Sequence, residues 1–132
     1  MAAEINHRTG QGDSQLEAVL DSLLADITAI RTVLAGILTG SATYDAASLA
    51  DGVGATTTIT VTGAVLGDFV IVSHSVDLAG ITVTGYVSAT DTVSVRFQNE
   101  SAGTLDLASG TLRALVLPRA SFAAPAALTT TT

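Results

Sequence analysis

Few residues in this chain could do chemistry, and they are scattered. His7 and His74 are its two histidines, and neither has a second histidine at i+4 or a cysteine to complete a metal set. The sequence has no cysteine, so disulfides, thiolate nucleophiles and Cys-ligated metals are excluded. Asp45 and Asp51 flank a loop, and Asn99 and Glu100 sit in a turn. Such oxygen ligands could hold calcium if brought together, but no Asp-rich twelve-residue calcium loop is present. Turn and cap roles account for the same four residues. Serines are many, yet no nucleophile-elbow motif surrounds any of them. The "GVG" at 52–54 precedes a strand instead of joining a strand to a helix, so it is no phosphate loop. Tyr44, Phe69, Tyr86, Phe97 and Phe122 are the only aromatics, too sparse to indicate the stacked rings of a glycan cleft. The expectation is therefore a protein that is not an enzyme, with no catalytic residue, no metal and no cofactor.

Charge narrows the partners. Formal net charge is −7, from twelve acidic residues against five arginines and no lysine. Nucleic-acid binding calls for a basic patch, and anionic membrane surfaces call for one too. Neither partner is expected. The apolar-rich stretch 16–38 is broken by Asp21, Asp26 and Arg31, which argues against a membrane span. The polar N-terminus "MAAEINHRTGQGDS" has no apolar h-region, so no secretory signal is expected. A length of 132 residues suits one domain, or a small domain with an extension.

The elements that remain point to assembly. Residues 1–13 read as a flexible arm. A helix is expected over 14–39, opened by the capping box "SQLE" with Ser14 as N-cap and Glu17 at N3. Its apolar residues are Leu16, Leu20, Leu23, Ile27, Ile30, Leu34 and Ile37, at alternating spacings of 4 and 3. That is a heptad seam, with Leu20, Ile27 and Leu34 at a and the others at d. Isoleucine at d favours three or more strands over a parallel dimer. Val19 and Val33 at g, with Leu24 and Leu38 at e, widen the apolar face. The seven seam residues are the expected homotrimer interface; the alternative is a helix folded back on its own β-domain. Gly36 weakens the last turn, and Gly40 is a candidate C-cap.

From 41 to 117 the period changes to two. Strands are expected at 56–62, 68–76, 80–88, 91–99 and 111–117, with possible edges at 43–45 and 104–107. Gly, Asp, Ser and Asn occupy the connections. This fits an antiparallel β-sandwich of jelly-roll type, giving a mainly β knob behind a helical stalk. In "DTVSVRFQN", Val93, Val95 and Phe97 face one way and polar residues the other. Two other strands are apolar on both faces. Phe69 and Ile71 oppose Val70, Val72 and Val76; Leu115 and Leu117 oppose Leu112, Ala114 and Val116. Such strands need a second layer, which a neighbouring copy could supply. In "ATTTITVTG" (55–63), Thr57, Ile59 and Val61 share one face, and Thr58, Thr60 and Thr62 share the other. The threonine face keeps β-propensity without charge, so it suits contact with symmetry mates or a flat partner. Residues 118–132 read as a low-complexity tail, either disordered or an arm docked through Phe122 and Leu128.

"YDAASLADGVGATTTITVTGAVLGDFVIVS" and "VDLAGITVTGYVSATDTVSVRFQNESAGTLDLASGTLRALV" together resemble a module of tailed-bacteriophage structural proteins. These are small capsid decoration (cement) or head-fibre proteins. The resemblance covers about 44–116. It implies a virion protein on the capsid surface, partnered with itself and with the major capsid protein. The leading expectation is a trimeric decoration protein that stabilises the head. The alternative is a short head or tail fibre knob that contacts a host receptor.

Overall fold

The seam spacing is realised as one long helix. The computed structural model describes residues 10–122, and α1 spans Gly10–Ala35. Asp13 lies in the first turn, at the positive end of the helix dipole. Both helix ends differ from the sequence reading. The helix starts four residues before Ser14, so Ser14 and Glu17 lie inside it and do not form its opening box. Gly10 and Gly12 lower propensity by only about 1 kcal/mol each, which a continuing hydrogen-bonded helix can absorb. At the other end α1 stops at Ala35, Gly36 turns, and Ile37 lies outside the helix. The cause is the next element. β1 (Leu38–Tyr44) is already paired to the last strand from its first residue, Leu38 opposite Val116. Gly40 is accordingly no C-cap but a strand residue.

The described residues from Gly36 to Phe122 belong to a second compact unit. It holds β1, β2 (Gly54–Thr60), β3 (Phe69–His74), β4 (Thr82–Ala89), β5 (Thr92–Gln98) and β6 (Gly110–Leu117). All pairings are antiparallel, in two three-stranded sheets ordered β1-β6-β3 and β2-β5-β4. Only β4 and β5 are consecutive in one sheet, joined by a tight turn in which Asp91 takes a positive φ of 60°. Every other connection passes from one sheet to the other. The five strands expected from alternation are present, with ends shifted by at most two residues. The possible edge at 43–45 is the end of the full strand β1; the one at 104–107 is a single bridge, Leu105 to Leu49.

The core lies between the two sheets. Ile59, Val93, Val95 and Phe97 of one sheet cluster with Leu112, Ala114 and Val116 of the other, all almost fully buried. Phe97 sits between two rings of the opposite sheet, with centroids 5.1 Å from Tyr44 and 5.6 Å from His74. Close approach is enforced at two glycines. A Cβ on Gly40 would collide with the Thr60 carbonyl and lie 2.7 Å from a Val61 methyl. A Cβ on Gly85 would meet the side chains of Val70 and Val72. Behind β6, Arg119–Phe122 make one 3₁₀ turn, so regular structure extends into the segment read as a tail. The readings that concern His7, Leu128 and the arm before Gly10 lie outside the described residues.

Candidate functional site: three exposed surfaces

Three surfaces stand out, and none is a cleft lined with reactive groups. The first is the stripe on α1. Leu16, Leu20, Leu23, Ile27, Ile30 and Leu34 occupy successive a and d positions and remain 41–60 % exposed in the single chain. Val19 and Leu24, at 62 % and 63 %, flank the stripe and widen it. Ile37, the seventh expected seam residue, is off the helix and half-buried, so the seam ends at Leu34. Between Ala29, Ile30, Val33 and Leu34 the helix surface carries an open apolar notch of about 310 Å³. No helix among the described residues is long and apolar enough to cross a membrane.

The second surface is the outer face of β1-β6-β3. Register fixes which side chains lie there. Ile71 pairs with Leu115, which pairs with Thr39; Ser73, Arg113 and Ser41 form the next row. Phe69 opposes Leu117 at the end of the sheet. Phe69 and Ile71 are 55 % and 60 % exposed, and Phe122 meets Phe69 edge-on at 6.0 Å. A shallow depression of about 510 Å³ runs along this face, between Thr39, Ser41, Ile71, Ser73, Arg113 and Leu115. The two-faced apolar character of β3 and β6 is thus half satisfied. Val70, Val72, Leu112, Ala114 and Val116 face the core, while the other face keeps its apolar side chains outside.

The third surface is the outer face of β2-β5-β4, which contains the threonines. Ile59 and Val61 are buried with Thr57 beside them, and Thr58, Thr60 and Thr62 are exposed, as the alternation requires. Across the sheet Thr56 pairs with Arg96 and Arg96 with Thr84; Thr58 pairs with Ser94 and Ser94 with Tyr86. Arg96 is held flat, donating to Thr56 Oγ1 at 3.3 Å and to Gln98 Oε1 at 2.9 Å. β2 is an edge strand. The two outer faces differ in what covering them gains. Removing aliphatic and aromatic surface from water is favourable by about 25 cal/mol per Å². Covering hydroxyls gains only where each finds a new hydrogen-bond partner. The β1-β6-β3 face therefore has the greater drive to be covered.

The residues that suggested chemistry have structural work. Asn99, fully buried, donates from Nδ2 to the carbonyls of Leu49 and Gly103, both at 2.7 Å, and accepts from the Ser101 amide at 2.9 Å. Asp51 accepts from the Ala102 amide at 3.1 Å, and Glu100 accepts from Gln98 at 2.9 Å. Asp51 and Asn99 thus hold turns in one loop cluster, Glu100 beside them binds only the Gln98 side chain, and Asp45 lies on the exposed link after β1. Among the described residues, no group of three His, Cys, Asp or Glu is placed to hold a metal ion. His74 packs edge-on against Phe97, and neither of its ring nitrogens has a hydrogen-bond partner. "GVG" leads into β2, with Gly52 in a left-handed turn. Asp68, invisible as a special residue from sequence, ties two segments together. It accepts from the amides of Val65 and Arg119, both at 3.0 Å.

No family model matches the chain, and comparison with curated proteins and with solved structures finds no match.

Proposed function

We propose that this chain is a virion structural protein of the tailed-phage type, a homotrimer that decorates and stabilises the capsid. The observation that carries the reading is the uninterrupted a/d stripe on α1, whose six leucines and isoleucines remain exposed in the single chain. A stripe of this kind is stable in water only when covered, and isoleucine at d, held on the helix by Ile30, favours more than two strands. The sequence resemblance over about 44–116 supplies the setting, and the β-unit is read as its sandwich-type knob. Asp51 and Asn99, two of the groups that could bind an ion, are engaged in holding turns.

The mechanism is mechanical. Trimerisation covers the helix stripe and presents three copies of the apolar β1-β6-β3 face, centred on Ile71 and Leu115. Three modest contacts in one trimer bind far more tightly than one, because the second and third become intramolecular. Such a clamp needs no cofactor, no nucleic acid and no membrane. The major capsid protein is the expected partner. The test compares particles with and without this protein. Heads that break at lower temperature while adsorbing normally to cells support decoration; intact heads with lost adsorption would replace it with the receptor-knob reading.

A further inference from the structure

The charges beside the helix stripe carry information that the stripe itself does not. In the heptad frame set by Leu20, Ile27 and Leu34 at a, Asp26 falls at g and Arg31 at e. In a parallel, in-register coiled coil, a g residue faces the e residue five positions later on the next chain. Asp26 then faces Arg31 of the neighbouring copy. The preceding g residue, Val19, faces Leu24 by the same rule, so an apolar pair lies next to an ionic one. Asp26 and Arg31 have no ion-pair partner among the described residues of the single chain, although both are exposed. Their own helix offers none, since ionic neighbours on a helix lie three or four residues apart, not five. At those spacings Asp26 meets Ser22, Leu23, Ala29 and Ile30, and Arg31 meets Ile27, Thr28, Leu34 and Ala35.

We infer that the α1 helices associate parallel and in register with a second and third copy of this chain, locked by an Asp26–Arg31 pair at each interface. The inference rests on the coiled-coil reading proposed above and adds direction, register and the residues that set them. Charge complementarity selects this arrangement. An antiparallel pair centred on the same seam brings Asp26 beside Asp26 of its partner, a like-charge contact, even as it brings Arg31 toward Glu17. Three-fold symmetry also requires every helix to point the same way. The parallel arrangement brings together the three Ala35 ends, from which the β-units continue.

The absence of cysteine makes a direct test simple. The double variant D26C/R31C is purified and oxidised gently. Residues five apart on a helix are separated by about 7.5 Å along the axis alone. That exceeds the roughly 7 Å reach of a disulfide, so any bond must join two chains. The expected product is a covalent trimer on a non-reducing gel, while D26C alone gives monomer. Covalent dimer from D26C alone means antiparallel helices and overturns the inference. A trimer by light scattering that gives no crosslink from the double variant overturns the register. A monomer by light scattering is a different failure, that of the coiled-coil reading beneath it. Charge reversal gives a second readout: D26R should raise the dissociation midpoint roughly tenfold, and D26R/R31D should recover it. Equal midpoints for D26R and the parent chain would contradict the pairing.

Discussion

Ile27→Asp is the perturbation that most stresses the assembly. Ile27 sits at a in the middle of the stripe and is 41 % exposed in the single chain. Full burial of an isoleucine is worth about 1.5–3 kcal/mol, so covering the remaining two fifths contributes about 0.6–1.2 kcal/mol per chain. Over three chains that is about 2–4 kcal/mol. The substitution removes this and places three carboxylates in one layer, where burying each ion costs several kcal/mol more. The total loss exceeds about 4 kcal/mol, at least a thousandfold in the assembly constant. Sedimentation or light scattering at micromolar concentration should find monomer at neutral pH, with the β-unit still folded by its strand circular dichroism. Lowering the pH should restore part of the assembly. Burial favours the neutral carboxylic acid, so the introduced group has a raised pKa in the assembly and its penalty fades as it protonates. Ala25→Asp, at the outward f position, is the control and should leave the mass unchanged. The reasoning fails if the Ile27 variant assembles like the parent chain, or if both variants dissociate equally.

Gly40→Ala should destabilise the β-unit by about 1–3 kcal/mol in chemical denaturation, because a methyl there meets the Thr60 carbonyl and Val61. Asn99→Ala strips the donors from the buried carbonyls of Leu49 and Gly103 and should cost about 2–4 kcal/mol by the same assay. Ile71→Ser should change the fold's stability by less than about 0.5 kcal/mol, since the side chain is mostly in water. Pull-down on purified heads should nevertheless show weaker attachment for that variant.

How much of this was legible in the sequence depended on how strong each local pattern is. β5 was plain because Val93, Val95 and Phe97 alternate with polar residues, and all three are fully buried. β1 was not seen as a full strand. Its inward positions are Leu38, Gly40, Ala42 and Tyr44, and the two small residues between the large ones erase the alternation. The glycine that read as a helix stop is there because Thr60 and Val61 press against it, a contact between segments about twenty residues apart. The same strand shortened the expected helix, since pairing from Leu38 onward left no room for Ile37 in the seam. Sequence did indicate that β3 and β6 were apolar on both faces, but not which face would be outermost. Register assigned Phe69, Ile71, Leu115 and Leu117 to the outside. Asp68 and Asn99 could not be singled out at all, because their importance lies in backbone groups of distant segments.

The mass of the purified 132-residue chain in solution at micromolar concentration tests the trimer most directly. Multi-angle light scattering should give three times the 13.2 kDa of the chain. A particle of 13.2 kDa across that concentration range would mean that the stripe on α1 is not an assembly surface. The trimeric clamp would then have no foundation.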